Sequence, residues 1–317
     1  MTGSPILVTG AAGLIGGRLV SRLAAQGADV IATDRRAAET PPGVRWVTVD
    51  LMDAPALLSL MREAKVDAVV HAGAISGPMV AAGGPHQVMS VNVGGALNIA
   101  EAALRTGVER LIALSSAGVY GAQATLDPVP EEAPLNATDI YGASKIAAET
   151  VLRAYRHDHG LSAIVLRPSS VYGPGRTSAC FIRDMIDHAR RGDPLALAPE
   201  GACRRQFVHV DDVVAAILGA LNAPRFDHFA FNVSGGTWLS EQEIAAAGAP
   251  VLPGLRIASI AAPARCLDGE MGPLDTTRAQ AAFGFSPSIP LAEGIAAYAA
   301  TLRQREGDLA ATGKLFA

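Results

Sequence analysis

The strongest constraint on the fold is a strand that breaks at a glycine and restarts as a helix. Ile6-Leu7-Val8 is a short apolar run ending in Thr9-Gly10. Gly10-Ala-Ala-Gly13-Leu14-Ile15-Gly16 then opens a helical stretch that runs to about Gln26. An apolar run of that length reads as a buried parallel strand. Between strand and helix each glycine has a purpose. Gly10 permits a tight turn, Gly13 lets a ligand approach the backbone, and Gly16 lets the helix lie against the strand. The helix start offers N–H groups and the positive end of its dipole to a pyrophosphate. Leu14 and Ile15 stand inside the same turn and join the three glycines in the expected cofactor site.

A second strand, residues 28–33, ends in Asp34, about 20 residues past the glycines. An acid at that place can hydrogen-bond both hydroxyls of an adenosine ribose and would repel a 2′-phosphate, which favours NAD over NADP. Arg35 and Arg36 follow at once, and a guanidinium there could accept the extra phosphate. Asp34 as a plain helix cap is the bland alternative. Residues 44–49 form a third strand ending in Asp50-Leu51, and Asp53 caps a helix to about Glu63. Residues 67–71 form a fourth, ending in Ala72-Gly73-Ala74, whose small side chains suit a cofactor passing close by. His71 reads as a core histidine and not a ligand. Asn92 to Asn98 lies in a helix of about 20 residues, an expectation from its periodicity. Residues 110–115 form a fifth strand ending in Ser115-Ser116, hydroxyls at the carboxyl edge where small ligands bind. Residues 162–166 form a sixth strand, after which Pro168 and Ser170 fall at the same edge.

Between the fifth and sixth strands lies Tyr141-Gly-Ala-Ser-Lys145, on a helix to about Gly160. Residues four apart share one helical face. A phenol beside an ammonium can take a proton from a substrate hydroxyl or return one to a carbonyl. The bland reading, an ordinary amphipathic helix, is weighed down by the hydride-acceptor site already implied upstream.

Strand and helix alternate throughout, so the fold class is α/β: a doubly wound, Rossmann-type parallel sheet covered on both faces. Residues 1–168 read as the dinucleotide-binding domain with the catalytic residues. Residues 169–317 read as a small substrate lobe that returns at places to the main sheet. There, helices are expected over about 179–191, 211–222 and 291–305, with a loosely held end from Gly307 to Ala317.

Composition narrows the partners. The net charge is −4 and no basic stripe is visible, which argues against nucleic acid. The three cysteines, Cys180, Cys203 and Cys266, are far apart and lack a Cys-x-x-Cys pair, which points to a reduced compartment and no zinc or other metal. No signal segment and no run of membrane-spanning length is visible, so a cytoplasmic protein is expected.

The chain resembles the extended short-chain dehydrogenase/reductases, in the NAD-dependent epimerase/dehydratase branch. The carriers are the glycine turn, Asp34, Asp50-Leu51, His71-Ala-Gly-Ala, Asn92-Val-x-Gly-x-x-Asn98, Ser115-Ser116 with Val-Tyr-Gly after it, and Tyr141-x-x-x-Lys145. Leu166-Arg-Pro-x-x-Val-Tyr-Gly-Pro174 and Arg205-Gln-Phe-Val-His-Val-Asp-Asp212 follow in family order. The resemblance implies Tyr141 as general acid/base, Lys145 on the nicotinamide ribose, and Ser116 on the reacting oxygen. It implies that Asp50 and Leu51 flank adenine and that Asn92 orders the site. It also implies a diphosphate contact at Arg205, with Arg265 near a second, and homodimerisation through two helices that include the one carrying Tyr141. Ser76, Ser170 and Arg176 fall on loops expected to border the substrate, with Arg176 available to a carboxylate.

Two departures bear on the reaction. Ser170 stands where many nucleotide-sugar relatives carry Asn, and Ala117-Gly118 stand where dehydratases carry an Asp-Glu pair. Without that acid/base pair, elimination of water is not expected. The expected substrate is a sugar or nucleotide sugar, and three readings stay open. These are a nucleotide-sugar 4-epimerase, a dehydrogenase of a free sugar or sugar acid, and a non-catalytic NAD-binding regulator.

Overall fold

The computed structural model describes residues 4–77, 84–199, 204–259 and 271–312, with residue 259 and residues 305–312 in backbone only. The first six strands are β1 (Ile6–Thr9), β2 (Val30–Asp34), β3 (Arg45–Thr48), β4 (Ala68–His71), β5 (Arg110–Leu114) and β6 (Ala163–Pro168). Then come the short β7 (Ser170–Tyr172), β8 (Pro194–Leu197), β9 (Arg204–Arg205) and β10 (Phe207–His209), followed by β11 (Ala230–Val233), β12 (Leu239–Ser240) and β13 (Arg256–Ser259). Seven strands form one sheet in the order β11-β6-β5-β4-β1-β2-β3, every pair parallel.

Side chains alternate across that sheet because a strand repeats every two residues. Ile6, Val8, Val30, Ala32, Ile112 and Ile164 face one side, against Leu19, Val20 and Leu23 of helix Leu14–Ala25 and Val213 and Ile217 of helix Val210–Asn222. Leu7, Ile31, Val69, Leu111 and Val165 face the other. They meet Leu57 and Met61 of helix Ala54–Glu63, Ile99 and Ala103 of helix Gly95–Thr106, and Leu152 of helix Ile140–His159. Both faces are buried, so these strands read as continuous apolar runs and only their carboxyl edge is left for ligands.

The sequence places one helix of about 20 residues around Asn92. The structure instead puts a wide turn inside it: helix Pro85–Met89, a π turn Ser90–Gly94, then helix Gly95–Thr106. Such turns carry no clear sequence signal and occur where side chains must be re-aimed at a functional site. At the other end of the chain, helix Leu291–Thr312 extends past the expected stop at Arg305. Leu309-Ala-Ala favours continuation, and the single Gly307 does not break it.

A separate core lies within the second half. Tyr172, Ile182, Met185, Ile186, Phe207, Ile244, Ile295 and Tyr298 pack together around helix Phe181–Arg191 and helix Glu241–Gly248. That core is tightest at Gly294, where an added Cβ would lie 2.2 Å from the Tyr172 hydroxyl and 3.0 Å from His209 Cδ2. Replacing Gly by Ala within a helix normally gains about 0.5–1 kcal/mol. Overpacking a filled core costs about 1–3 kcal/mol. Gly294→Ala is therefore expected to lower the urea midpoint; a raised midpoint would show that the lobe has slack here.

Candidate active site

The carboxyl edge of the sheet is built from close backbone approaches. Gly10 has φ +67°, and a Cβ on it would meet Gly73 N at 2.5 Å. A Cβ on Gly16 would meet the Gly10 carbonyl oxygen at 2.2 Å. Only glycine fits at either place, so the first helix starts hard against the ends of β1 and β4. Gly13 is its N-cap, extended in backbone and without a side-chain cap, and so leaves the first-turn N–H groups for an anion. Leu14 and Ile15 are half-buried in that turn, Leu14 facing Gly175.

At the end of β2, the Asp34 carboxylate accepts from Ala12 N at 3.3 Å and from Arg36 N at 3.2 Å. The acid is thereby aimed at the glycine turn, where a ribose beside a bound pyrophosphate would lie. Arg35 is exposed. Asp50 accepts from Met52 N, and Leu51 wedges between the bare backbones of Gly73 and Gly95. Asn98 donates to the Leu51 carbonyl at 2.8 Å and fixes that wedge. Ala72 and Ala74 are half-buried beside the fully enclosed Gly73. The glycine cradle, the aimed acid and the Leu51 wedge fit a dinucleotide.

Tyr141 and Lys145 lie on helix Ile140–His159, whose N-cap Asp139 accepts from Gly142 N at 3.0 Å. Both side chains are buried, with Lys145 Nζ 5.9 Å from the centre of the Tyr141 ring. The ammonium donates to the Leu114 carbonyl at the tip of β5 at 2.8 Å. Ser116 caps the short turn Ala117–Val119 and accepts from Gly118 N. A Cβ on Gly118 would lie 3.3 Å from Ser116 Oγ and 3.9 Å from Tyr141 Cε1, so hydroxyl and phenol flank the same point. Gly142 lets that turn close down, since its own Cβ would strike the Gly118 carbonyl at 2.7 Å. Asp139 and Gly142 are site-building residues the sequence reading did not single out, and Gly118 entered it only as a departure from the dehydratases. The signal was present, an acid two before Tyr141 and glycines beside Ser116 and Tyr141.

Asn92 is buried and fully engaged. Its amide accepts from Ile75 N and donates to the Ile75 carbonyl and to Ser144 Oγ, which in turn donates to the Tyr141 carbonyl. Asn92 thus ties the loop after β4 to the helix of Tyr141, and its side chain has no donor left for a ligand.

Several expected contacts are placed differently. The Ser115 hydroxyl does not face the crevice: it donates to Glu149 Oε1 at 2.5 Å inside the protein. Arg176 turns its guanidinium onto its own loop, donating to the carbonyls of Ser178, Val171 and Ala179. Its sequence neighbourhood suggested a binding loop, but three nearby carbonyls accept its fork of donors. Arg205 donates to Glu241 Oε1 at 2.6 Å and stacks on Phe181. Pro168 closes β6, Ser170 is half-buried on β7, and Ser76 is exposed on the loop after β4. Arg265 lies outside the described residues. Among the described residues no group of three or more His, Cys, Asp or Glu side chains is gathered for a metal, and no helix is long and apolar enough to cross a membrane.

Comparison with known proteins agrees with this geometry. The pattern of the NAD dependent epimerase/dehydratase family matches residues 6–234. A UDP-glucose 4-epimerase of Mycolicibacterium smegmatis is 34% identical over 308 residues, covering 92% of this chain and 96% of that protein. The structure of UDP-glucose 4-epimerase from Thermotoga maritima with UDP-glucose superimposes with a TM-score of 0.86 at 26% identity, over 95% of this chain and 99% of that one. The Thermus thermophilus UDP-glucose 4-epimerase in complex with NAD gives 0.83 at 30% identity, over 94% and 99%.

Two expectations follow. Asp34→Ala should narrow the preference for NAD over NADP, measured as the ratio of their dissociation constants; an unchanged ratio would remove Asp34 from the ribose site. The second concerns His71, whose pKa burial and then the nearby Lys145 charge lower from 6.5 to about 3. Thr9 Oγ1 lies 2.8 Å from its Nδ1. The unfolded chain takes up this proton first as pH falls, so the stability is complete above about 6.5 and is lost as pH drops towards 3. His71→Asn should flatten the stability curve over that range by up to about 1.4 kcal/mol per pH unit. His209, whose pKa burial also lowers, keeps a residual slope. Equal slopes in parent and variant would place the acid sensitivity elsewhere.

Proposed function

The chain belongs to the NAD dependent epimerase/dehydratase family, and from that premise we propose that it inverts a hydroxyl-bearing carbon of a nucleotide-linked sugar, most simply at C4 of a UDP-hexose. The observation that carries the proposal is the meeting of Ser116, Gly118 and Tyr141. A hydroxyl and a phenol ring flank one point, and positions 117 and 118 beside them are alanine and glycine, with no carboxylate of their own. Such a site can move a proton on and off a sugar oxygen. It lacks the second acid/base pair that loss of water needs.

The residues divide the work. The glycine turn and the first helix hold the pyrophosphate of NAD, Asp34 its adenosine ribose, and the Leu51 wedge its adenine. The redox chemistry, reversible acceptance of a hydride from the sugar carbon, is that of the bound cofactor. Tyr141 takes the proton from the sugar hydroxyl and later returns it. Lys145, anchored by the Leu114 carbonyl, holds positive charge beside the phenol ring. Ser116 hydrogen-bonds the same oxygen while its charge changes. In the substrate lobe, Arg205 with its partner Glu241 gives a held guanidinium suited to a diphosphate. Ser76 and Ser170 border the sugar in the same proposal. Arg265 is the second candidate for the diphosphate.

The proposal includes action in the cytoplasm as a homodimer. Helices Gly95–Thr106 and Ile140–His159 pack side by side, and Leu97 on the first is 43% exposed, which suits a second copy. The second reading, oxidation of a free sugar or sugar acid with release of NADH, has less support, because Arg176 donates to carbonyls of its own loop.

The test is direct. Purified protein with NAD and UDP-hexoses should interconvert epimers, seen by chromatography, with no steady rise at the reduced-nicotinamide absorbance band. A steady rise with a free sugar or acid would replace the epimerase by a dehydrogenase. Tyr141→Phe should lower turnover by at least ~100-fold while NAD affinity changes little, the usual range for a general acid/base; unchanged turnover would sink the assignment of Tyr141.

A further inference from the structure

Beneath the site lies a buried ion pair that the chemistry above does not use. Glu149 sits one helical turn beyond Lys145, and Arg167 lies near the end of β6. Their side chains are 3% and 1% exposed. Arg167 grips Glu149 with two donors, Nε at 2.9 Å and Nη2 at 2.6 Å. Two further bonds leave this pair in opposite directions. Glu149 Oε1 accepts from the Ser115 hydroxyl at 2.5 Å, and Arg167 Nη1 donates to the Tyr120 hydroxyl at 2.8 Å. The guanidinium also lies 5.0 Å from the centre of the Tyr120 ring.

Ser115 and Tyr120 are the two ends of the segment that carries Ser116. Each is held, at its own end, by one pair whose carboxylate belongs to the helix of Tyr141 and Lys145. Tyr120 is fixed in turn, donating to Asn232 Oδ1 at 2.7 Å on β11. Burial pushes its phenol up to about 12, so it remains a neutral donor at that bond. Arg167 Nη1 also donates to the Glu131 carbonyl at 2.9 Å.

We propose that Glu149 and Arg167 are positioning residues whose pair, through Ser115 and Tyr120, sets the separation of Ser116 from Tyr141. Two catalytic groups on different elements must be held to a fraction of an ångström, and loops alone do not give that precision. A bidentate buried pair does, because its fork fixes direction as well as distance. A polar cluster of this kind contributes little net stability compared with an apolar core of the same shape, so geometry is the better account of it.

Only the kinetic readout rests on the epimerase reading. Glu149→Gln keeps the shape and removes the charge. Tyr120→Phe removes one hydroxyl and leaves no buried charge unpaired, so it reports even if the first variant does not fold. In the NAD-bound protein, amide exchange of residues 115–121 and of residues 139–146 should rise together by ~10-fold in Glu149→Gln and less in Tyr120→Phe. Exchange in helix Leu14–Ala25 should not move. The same variants should lose ~10- to 100-fold in kcat, with KM and the NAD dissociation constant held within about three-fold. A rise in only one of the two segments, or in neither, overturns the clamp. So does a kcat loss matched by an equal loss of NAD affinity. If the parent turns over no nucleotide sugar, the functional reading falls and the exchange measurement alone decides the clamp.

Discussion

The site depends on parallel backbones that end side by side at one edge, packed so closely that hydrogen is the largest substituent allowed. Gly10 against Gly73, Gly16 against Gly10 and Gly142 against Gly118 are three contacts of this kind, each too short for a Cβ. They do different things. The first two draw the opening helix onto β1 and β4, so a helix start and a strand end converge where a pyrophosphate would lie. The third draws the Ser116 turn onto the helix of Tyr141. Because both faces of the sheet are buried by helices, this edge is a place where polar backbone and open space meet.

The charges there are arranged to make a lysine tolerable. Lys145 is buried and finds one carbonyl, Leu114. His71, close enough for that charge to be felt, stays neutral because burial lowers its pKa and the lysine lowers it further. A second positive charge is thus kept away from the ammonium. Four residues further along the helix, the buried carboxylate of Glu149 is held by Arg167. For Arg167 itself, burial acts against the charge, but the Glu149 partner outweighs it and the guanidinium is held above its ordinary range. The lysine is left as the group that faces the phenol.

Much of this was legible in the chain and the remainder has definite causes. Apolar runs punctuated by glycine located the strands, and their ends gave the residues at the crevice, because a doubly covered sheet exposes nothing else. Tyr141 and Lys145 were readable as one face of a helix, and the structure puts both at that edge. The π turn at Ser90–Gly94 was not, since its geometry depends on Asn92 finding Ile75 and Ser144 at once. Ser115 misled because two adjacent hydroxyls at a strand end go to different partners: Ser116 accepts from Gly118 N, and Ser115 donates inward to Glu149. Arg176 misled because carbonyls of its own loop compete with any ligand for a guanidinium. Contacts between residues distant in sequence decide the cases of Asn92 and Ser115, and a contact within one short loop decides that of Arg176.

The same geometry bears on why this site would epimerise instead of eliminate. A side chain at position 118 would begin within 4 Å of both Ser116 Oγ and the Tyr141 ring. In the epimerase reading it would crowd the space between Ser116 and Tyr141 that the sugar oxygen enters. Glycine there keeps the approach open, and the neighbouring Ala117 adds no polar group. In the epimerase reading, a sugar held by its diphosphate in the substrate lobe meets Ser116 and Tyr141 at the reacting carbon. With the diphosphate as its anchor, the oxidised sugar can turn and present its other face. A carboxylate pair beside the ring would add acid/base contacts and commit the sugar to one face. The small residues at 117 and 118 are therefore as much a part of the proposed chemistry as the tyrosine.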